Sequence, residues 1–224
     1  MNADFSQHRA KMVDGQLRTT DVTNQPLLAA MGSVPREAFV EARRQQLAYI
    51  DEDIEIAPAG AAGGARYLME PSPFAKLVQL ADVRQGDVVL DVGCGTGYSS
   101  AVLSLIAGSV IALESDSELA ERAGSLLGSL GYDNVAVVQG ALREGYPDEA
   151  PYDVIVIEGS VGEIPEALFA QLKEGGRLVA VEGVGNAGVA KLYVKDGDVV
   201  TGRRAFNAAV KPLPGFEKAP AFEF

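Results

Sequence analysis

The segment Leu90-Asp91-Val92-Gly93-Cys94-Gly95-Thr96-Gly97-Tyr98 constrains the fold of this chain more than any other. A β-branched run from Val88 ends in three glycines at alternate positions, and Ala101, Val102, Leu105 and Ile106 follow at helical spacing. Glycine lets such a turn tighten and lets a ligand approach the backbone, while the helix that follows turns its positive end toward the turn. Strand, glycine turn and helix in that order predict a nucleotide-like ligand on a parallel sheet. The spacing is G-x-G-x-G with Tyr98 at the sixth position, where a dinucleotide fold needs a small residue for close helix packing. NAD and FAD are therefore disfavoured, and the lysine of a phosphate-binding P-loop is missing as well.

From residue 86 onward short β-rich runs alternate with helical patterns, which spells a mostly parallel sheet covered by helices on both faces. The runs are Val88 to Gly93, Val110 to Glu114, Val135 to Gly140, Val154 to Glu158 and Leu178 to Glu182. Between the second and third, Leu119, Ala123, Leu126, Leu127 and Leu130 mark an amphipathic helix, with Ser115 and Glu118 placed as a capping box. Before the fifth, Pro165 opens a helix striped by Leu168, Phe169 and Leu172 and stopped by Gly175-Gly176. Lys191 to Lys195 and Val199 to Arg203 flank Asp196-Gly197, a hairpin signal, so an antiparallel pair closes the sheet at its C-terminal end.

Residues 1–85 are written differently and predict an N-terminal helical extension. Val13, Leu17, Leu27, Leu28, Met31 and Phe39 suggest short helices, with Asn24, Pro26 and Pro35 at their boundaries. The Gly/Ala-rich stretch from Ala57 to Ala65 is either a mobile lid or a plain connector. Ser72 and Pro73 have the chemistry of a cap and first helical residue, with Phe74, Leu77, Val78 and Leu80 on one face. The expected organisation is a helical and lid extension over 1–85 and a ligand-binding core over 86–224, together one compact domain.

Composition narrows the chemistry. At 224 residues the chain buries a real core without staples, and 19 Lys plus Arg against 31 Asp plus Glu give a net charge of −12, which repels nucleic acid and anionic lipid. No apolar run is long enough to span a bilayer and the N-terminus carries no signal-type segment, so a cytoplasmic setting is expected. One cysteine, Cys94, and one histidine, His8, exclude an intramolecular disulfide and leave no Cys/His metal site. His8 sits in a polar stretch, as a solvated surface residue would. Cys94 is explained by size alone, because a small side chain suits a crowded turn and no neighbouring cation marks it as a thiolate.

Glu114 stands 21 residues past Gly93, at the end of the second strand, placed to accept hydrogen bonds from ribose hydroxyls. Glycine turn and strand-end acid together resemble motif I of the class I methyltransferases, a Rossmann-like fold whose ligand is S-adenosylmethionine. The resemblance implies that Gly93, Gly95 and Gly97, with Cys94, Thr96 and Tyr98 between and after them, line the methionine and ribose part. It makes Asp91 the acidic residue of the motif, gives Glu114 the ribose, and counts Ser115, Gly140, Ala141 and Glu158 among the other cofactor-binding residues. Further segments extend the likeness over nearly the whole chain. Met12-Val13-Asp14-Gly15-Gln16-Leu17-Arg18, Val34-Pro35-Arg36-Glu37-Ala38-Phe39-Val40, Ala48-Tyr49-Ile50-Asp51, Leu130-Gly131-Tyr132-Asp133-Asn134-Val135 and Glu163-Ile164-Pro165-Glu166-Ala167-Leu168 resemble the protein-L-isoaspartate O-methyltransferases. That family transfers a methyl group to the carboxylate of a damaged aspartyl residue in a protein or peptide, starting its repair and leaving S-adenosylhomocysteine.

A carboxylate attacking a sulfonium methyl needs no general base, so alignment and desolvation carry the rate. The family has a Thr-Ile-Ser-Gln-Pro segment for the acceptor; this chain has Tyr67-Leu68-Met69-Glu70-Pro71. After the fourth strand it has Glu158-Gly159-Ser160 in place of a threonine and small residues, and Ala141 replaces an acid near the adenine, at a cost of ~1 kcal/mol in binding. Glu70 and Glu158 would repel an anionic acceptor unless Arg66, Arg18 or the Tyr67 hydroxyl compensates. One reading takes Met69 as core filler, Ser72 as a helix cap and Glu70 as solvent-facing. The other makes Tyr67, Met69, Glu70 and Glu158 an altered acceptor site, with Glu158 as general base for a hydroxyl or amine or as the attractor of a cation. A cofactor-binding module without turnover is the third possibility.

Overall fold

The computed structural model describes residues 5–60, 64–183 and 185–217. The first elements follow from local sequence. Helix α1 (Phe5–Met12) runs into a π-helical turn (Val13–Leu17) and a 3₁₀ turn (Arg18–Thr20). Helix α2 (Gln25–Ser33) starts where the Asn24 side chain accepts from the Leu27 N–H at 3.0 Å, with Pro26 in its first turn. Strands β1 (Ile54–Ala57) and β2 (Arg66–Leu68) then pair antiparallel around the Gly/Ala-rich stretch. The sequence reading assigns no strand here, only a lid or plain connector over 57–65, of which residues 61–63 lie outside the described residues. Helix α3 (Pro71–Ala81) follows with Glu70, not Ser72, at its N-cap position. Ser72 lies inside the first turn, where its hydroxyl pairs with that of Thr20 at 2.7 Å.

The sheet contains β3 (Val88–Val92), β4 (Ser109–Glu114), β5 (Val135–Gln139), β6 (Tyr152–Val161), β7 (Leu172–Glu182), β8 (Val189–Asp196) and β9 (Val199–Asn207). Their order is β5-β4-β3-β6-β7-β8-β9, parallel from β5 to β7 and antiparallel for β8 and β9. Alternate residues feed two cores. Val89, Val110, Ala112, Val154, Val156, Val179 and Val181 face α3, α4 (Tyr98–Ser104), α5 (Ser117–Ser129) and the N-terminal extension. Leu90, Val92, Ile111, Leu113, Ile155, Ile157 and Leu178 face the other way, onto α6 (Glu166–Ala170), Leu142, Leu213 and Phe216. Helices thus flank both faces, but the second carries only a short one and is completed by irregular chain. Among the described residues no helix is long and apolar enough to cross a membrane.

Two further boundaries differ from the sequence reading. The α5 cap is Asp116, which accepts from the Glu118 and Leu119 N–H groups, because Glu114 already takes the N–H groups of Ser115 and Asp116. Gly175-Gly176 lies within β7, at the register shift where Tyr152 faces Leu172 and Val154 faces Arg177, while α6 has ended by Gln171. The extension and the sheet share one apolar cluster, which runs from Met12, Leu17 and Leu27 through Phe74 to the strands.

Candidate active site

Strand order reverses between β4-β3 and β6-β7, which opens a crevice at the C-terminal ends of β3, β4 and β6. Register then brings three carboxylates together. Asp91 stands beside Ala112 on β4 and Val156 on β6, so Glu114 and Glu158, two residues further along each neighbour, project to the same side of the sheet.

Each of the three has a different environment. Asp91 is fully buried, its Oδ2 accepting from the Ser99 and Ser100 hydroxyls at 2.7 and 2.6 Å, with no partner at Oδ1. Burial and the nearby Glu114 push its carboxyl up to about 6, against the two hydroxyls that pull it down. Glu114, also fully buried, is saturated with donors. Its Oε1 accepts from the Ser115 and Asp116 N–H groups and its Oε2 from the Gly95 N–H at 2.8 Å, and Arg66 grips both oxygens, Nη1 on Oε1 and Nη2 on Oε2 at 2.8 Å. Arg66 Nη2 also donates to the Gly93 carbonyl at 3.0 Å, and the pair's side chains are 7% and 0% exposed. Glu158 has no such partner. Its Oε1 is sealed from solvent and unpaired, and burial, reinforced by Asp91 and opposed by the Arg36 guanidinium, holds its carboxyl well above the usual range.

The glycine turn is tightly overlaid by the chain itself. Gly93, Gly95 and Gly97 all have positive φ. A methyl group on Gly93 would stand 2.8 Å from Leu213 Cδ1, one on Gly95 2.5 Å from Ile56 Cδ1, and one on Gly97 2.9 Å from Leu127 Cδ1. Thr96 donates to the Phe39 carbonyl at 2.7 Å, and Tyr98 is buried against Phe39, Phe74 and Arg36, so both tie the turn to the extension. Cys94 is buried, and desolvation with the surrounding carboxylates drives its thiol well above the usual range, against a nucleophilic role.

Two spaces lie beside the residues that contact this turn. An open cleft of about 690 Å³ is lined by Ser115, Ala141, Leu142, Arg143 and Pro214, with Gly140 immediately behind it, hydrogen-bonded to the Glu114 carbonyl. A much smaller cavity, about 10 Å³, is lined by Asp53, Arg66, Tyr67, Met69, Glu158 and Lys211, among others. The segment 210–213 closes it, held by Ser160 N–H on the Lys211 carbonyl and Leu213 N–H on the Ser160 carbonyl, both at 2.9 Å.

Tyr67, Met69 and Glu158 are therefore brought together, and Glu70 is not. Glu70 turns toward Asp51, with its own N–H on Asp53 Oδ1, and burial plus the Asp51 carboxylate raise it to about 7. The solvent-facing reading of Glu70 gives way to a shared carboxyl pair. Met69 is 95% enclosed, and its carbonyl accepts from Arg36 at 2.6 Å. Arg18 does not compensate at the site, since it pairs with Asp14 on the surface. His8 is half-buried in α1 against Phe5 and Tyr49, not fully solvated. The sequence reading missed Arg36, Asp53, Leu142, Lys211 and Leu213, whose places depend on long-range packing.

The family model for protein-L-isoaspartate(D-aspartate) O-methyltransferase matches residues 7–213. A protein-L-isoaspartate O-methyltransferase of Koribacter versatilis is 40% identical over 190 residues, 85% of this chain and 82% of the relative. One from Methanoculleus marisnigri is 36% identical over 203 residues, 90% of each. A solved protein-L-isoaspartate O-methyltransferase superposes with a TM-score of 0.81 at 28% identity, over 92% of this chain and 66% of that one. A Plasmodium falciparum structure described as this enzyme in complex with S-adenosyl-L-homocysteine shares the fold, with a TM-score of 0.74 at 20% identity over 92% and 97% of the chains.

Proposed function

The chain belongs to the protein-L-isoaspartate O-methyltransferase family, and we propose that it transfers a methyl group from S-adenosylmethionine to the carboxylate of isoaspartyl residues in proteins or peptides, a repair activity set in the cytoplasm. The observation that carries this reading is Glu114, a buried carboxylate at the end of β4 beside a positive-φ glycine turn, where the strand order reverses.

The residues suit this cofactor in kind. Gly93 and Gly95 would hold the methionine part and Glu114 the ribose diol, while Ser115, Ala141 and Leu142 line a cleft roomy enough for a purine. Bound there, S-adenosylmethionine supplies an electrophilic methyl on a sulfonium centre. The chain's own task is to bring a carboxylate into line and keep water out, which supplies most of the acceleration when the nucleophile is already ionised. In the closed cavity Tyr67 offers a hydroxyl, and Lys211, with its Nζ 5.6 Å from the Tyr67 ring centre, offers the positive charge that an anionic acceptor requires. The cavity of about 10 Å³ admits a single water-sized group, so acceptor entry requires segment 210–213 to move.

One observation favours a different acceptor: Glu158 lines the same cavity with an unpaired buried oxygen, which in the ionised form can take a proton from a hydroxyl or amine. Incubation with labelled S-adenosylmethionine and a matched pair of peptides, one isoaspartyl and one aspartyl, separates the two readings. The repair reading predicts base-labile methyl ester on the isoaspartyl peptide alone. Bound cofactor with no ester on either peptide would remove the repair function and leave the second reading.

A further inference from the structure

We propose that Arg66 is the chain's own occupant of the ribose position and sets cofactor affinity, seated on Glu114 in the closed form and moving to Glu158 when a nucleoside takes its place. The inference rests on the cofactor reading above and concerns how that site is held.

A carboxylate offers about four lone-pair positions. Glu114 already receives three backbone N–H groups and two from Arg66, so no acceptor remains for a vicinal diol. The backbone donors belong to the turn and to the start of α5, so Arg66 alone is free to leave. Its position is that of a partition. Arg66 lines the small cavity, whereas Ser115, next to its partner Glu114, lines the open cleft.

Removing one partner of a buried ion pair is costly because the other charge is stranded. The cost falls if both find replacements. The diol would replace Arg66 on Glu114, and Glu158, which lines the same small cavity as Arg66, has a buried oxygen with no hydrogen-bond partner. Such an oxygen is uncommon in a folded protein, and it gives the displaced guanidinium a second seat. Arg36, the cation that acts on Glu158, and Lys211, which lines the same cavity, are less free to serve it. Arg36 is pinned by the Ala48 and Met69 carbonyls at 2.7 and 2.6 Å, and Lys211 is set over the Tyr67 ring, near Asp53. In the closed form Glu114 is satisfied and Glu158 is not; with ligand bound, both are.

The test is a titration with S-adenosylhomocysteine, which binds without turnover, across wild type, Arg66→Gln, Glu158→Gln and the double variant. Arg66→Gln is expected to bind about tenfold more tightly or better, because the closed form no longer competes. Glu158→Gln is expected to weaken wild-type binding about threefold or more and to change nothing in the Arg66→Gln background, a non-additivity that a double-mutant cycle reads directly. Arg66→Lys keeps the charge but cannot span both carboxylate oxygens, so it guards against a folding defect and should fall between. Arg66→Gln and Arg66→Lys both binding no better than wild type would overturn the proposal, as would an equal effect of Glu158→Gln in both backgrounds. Absence of binding by every variant at millimolar ligand would instead overturn the cofactor reading itself.

Discussion

Asp91 shows how one buried residue links the fold to pH. Its folded carboxyl, raised to about 6, keeps its proton after an unfolded aspartate near 3.9 has lost it. The native state therefore binds more protons between those values, and stability falls as pH rises from about 4 to about 6. Asp91→Asn keeps an acceptor for Ser99 and Ser100 and removes the titration. Denaturation midpoints of the two proteins should converge at low pH and separate in favour of the variant above pH 6; parallel profiles would contradict this. Asp91 was visible in the sequence as the acid of the motif, but its partners were not, since nothing in a strand-turn-helix pattern says that two helix serines point back at it. Arg66 was less visible still. It reads as a possible aid to an anionic acceptor, and its partner Glu114 is 48 residues away on another strand.

At the scale of elements, the parallel strands were legible because their apolar runs are continuous, those of β3, β4 and β6 being buried on both faces, and α5 because its apolar spacing is regular. What the sequence could not arbitrate was competition among neighbours. Ser115 and Asp116 are both good caps, and the choice falls on Asp116 because the Glu114 carboxylate holds the N–H groups of both residues. Asp116→Ala should therefore cost about 1 kcal/mol in chemical denaturation and Ser115→Ala a few tenths at most; the reverse ranking would refute the assignment. The β1–β2 pair escaped notice for a simpler reason. Strands of four and three residues, interrupted by a Gly/Ala-rich stretch, are too short for periodicity to register, although Ile54, Ile56 and Leu68 do alternate inward. Gly175-Gly176 misled for the opposite reason, because a glycine pair that looks like a helix stop serves here as an irregularity in β7.

Across the whole molecule, the sequence delivered the sheet, its antiparallel closure and the glycine turn, and it placed Glu114 at the turn. It did not show that the chain covers that turn with its own side chains. Ile56 from β1, Arg66 from β2 and Leu213 from segment 210–213 arrive from three separate stretches and converge on two glycines. Part of the surplus acid behind the net charge of −12 does lie at the site, but in unlike states: Glu114 is saturated, Glu158 has an unpaired buried oxygen, and Glu70 is turned away. The central claim is that the crevice at the ends of β3 and β4 is the cofactor site, with Glu114 its ribose acceptor. The most direct measurement is a crystal structure with S-adenosylhomocysteine. The account predicts the ribose hydroxyls on Glu114 and the Arg66 guanidinium off it. A structure with the ligand bound elsewhere and Arg66 still paired to Glu114 would contradict it.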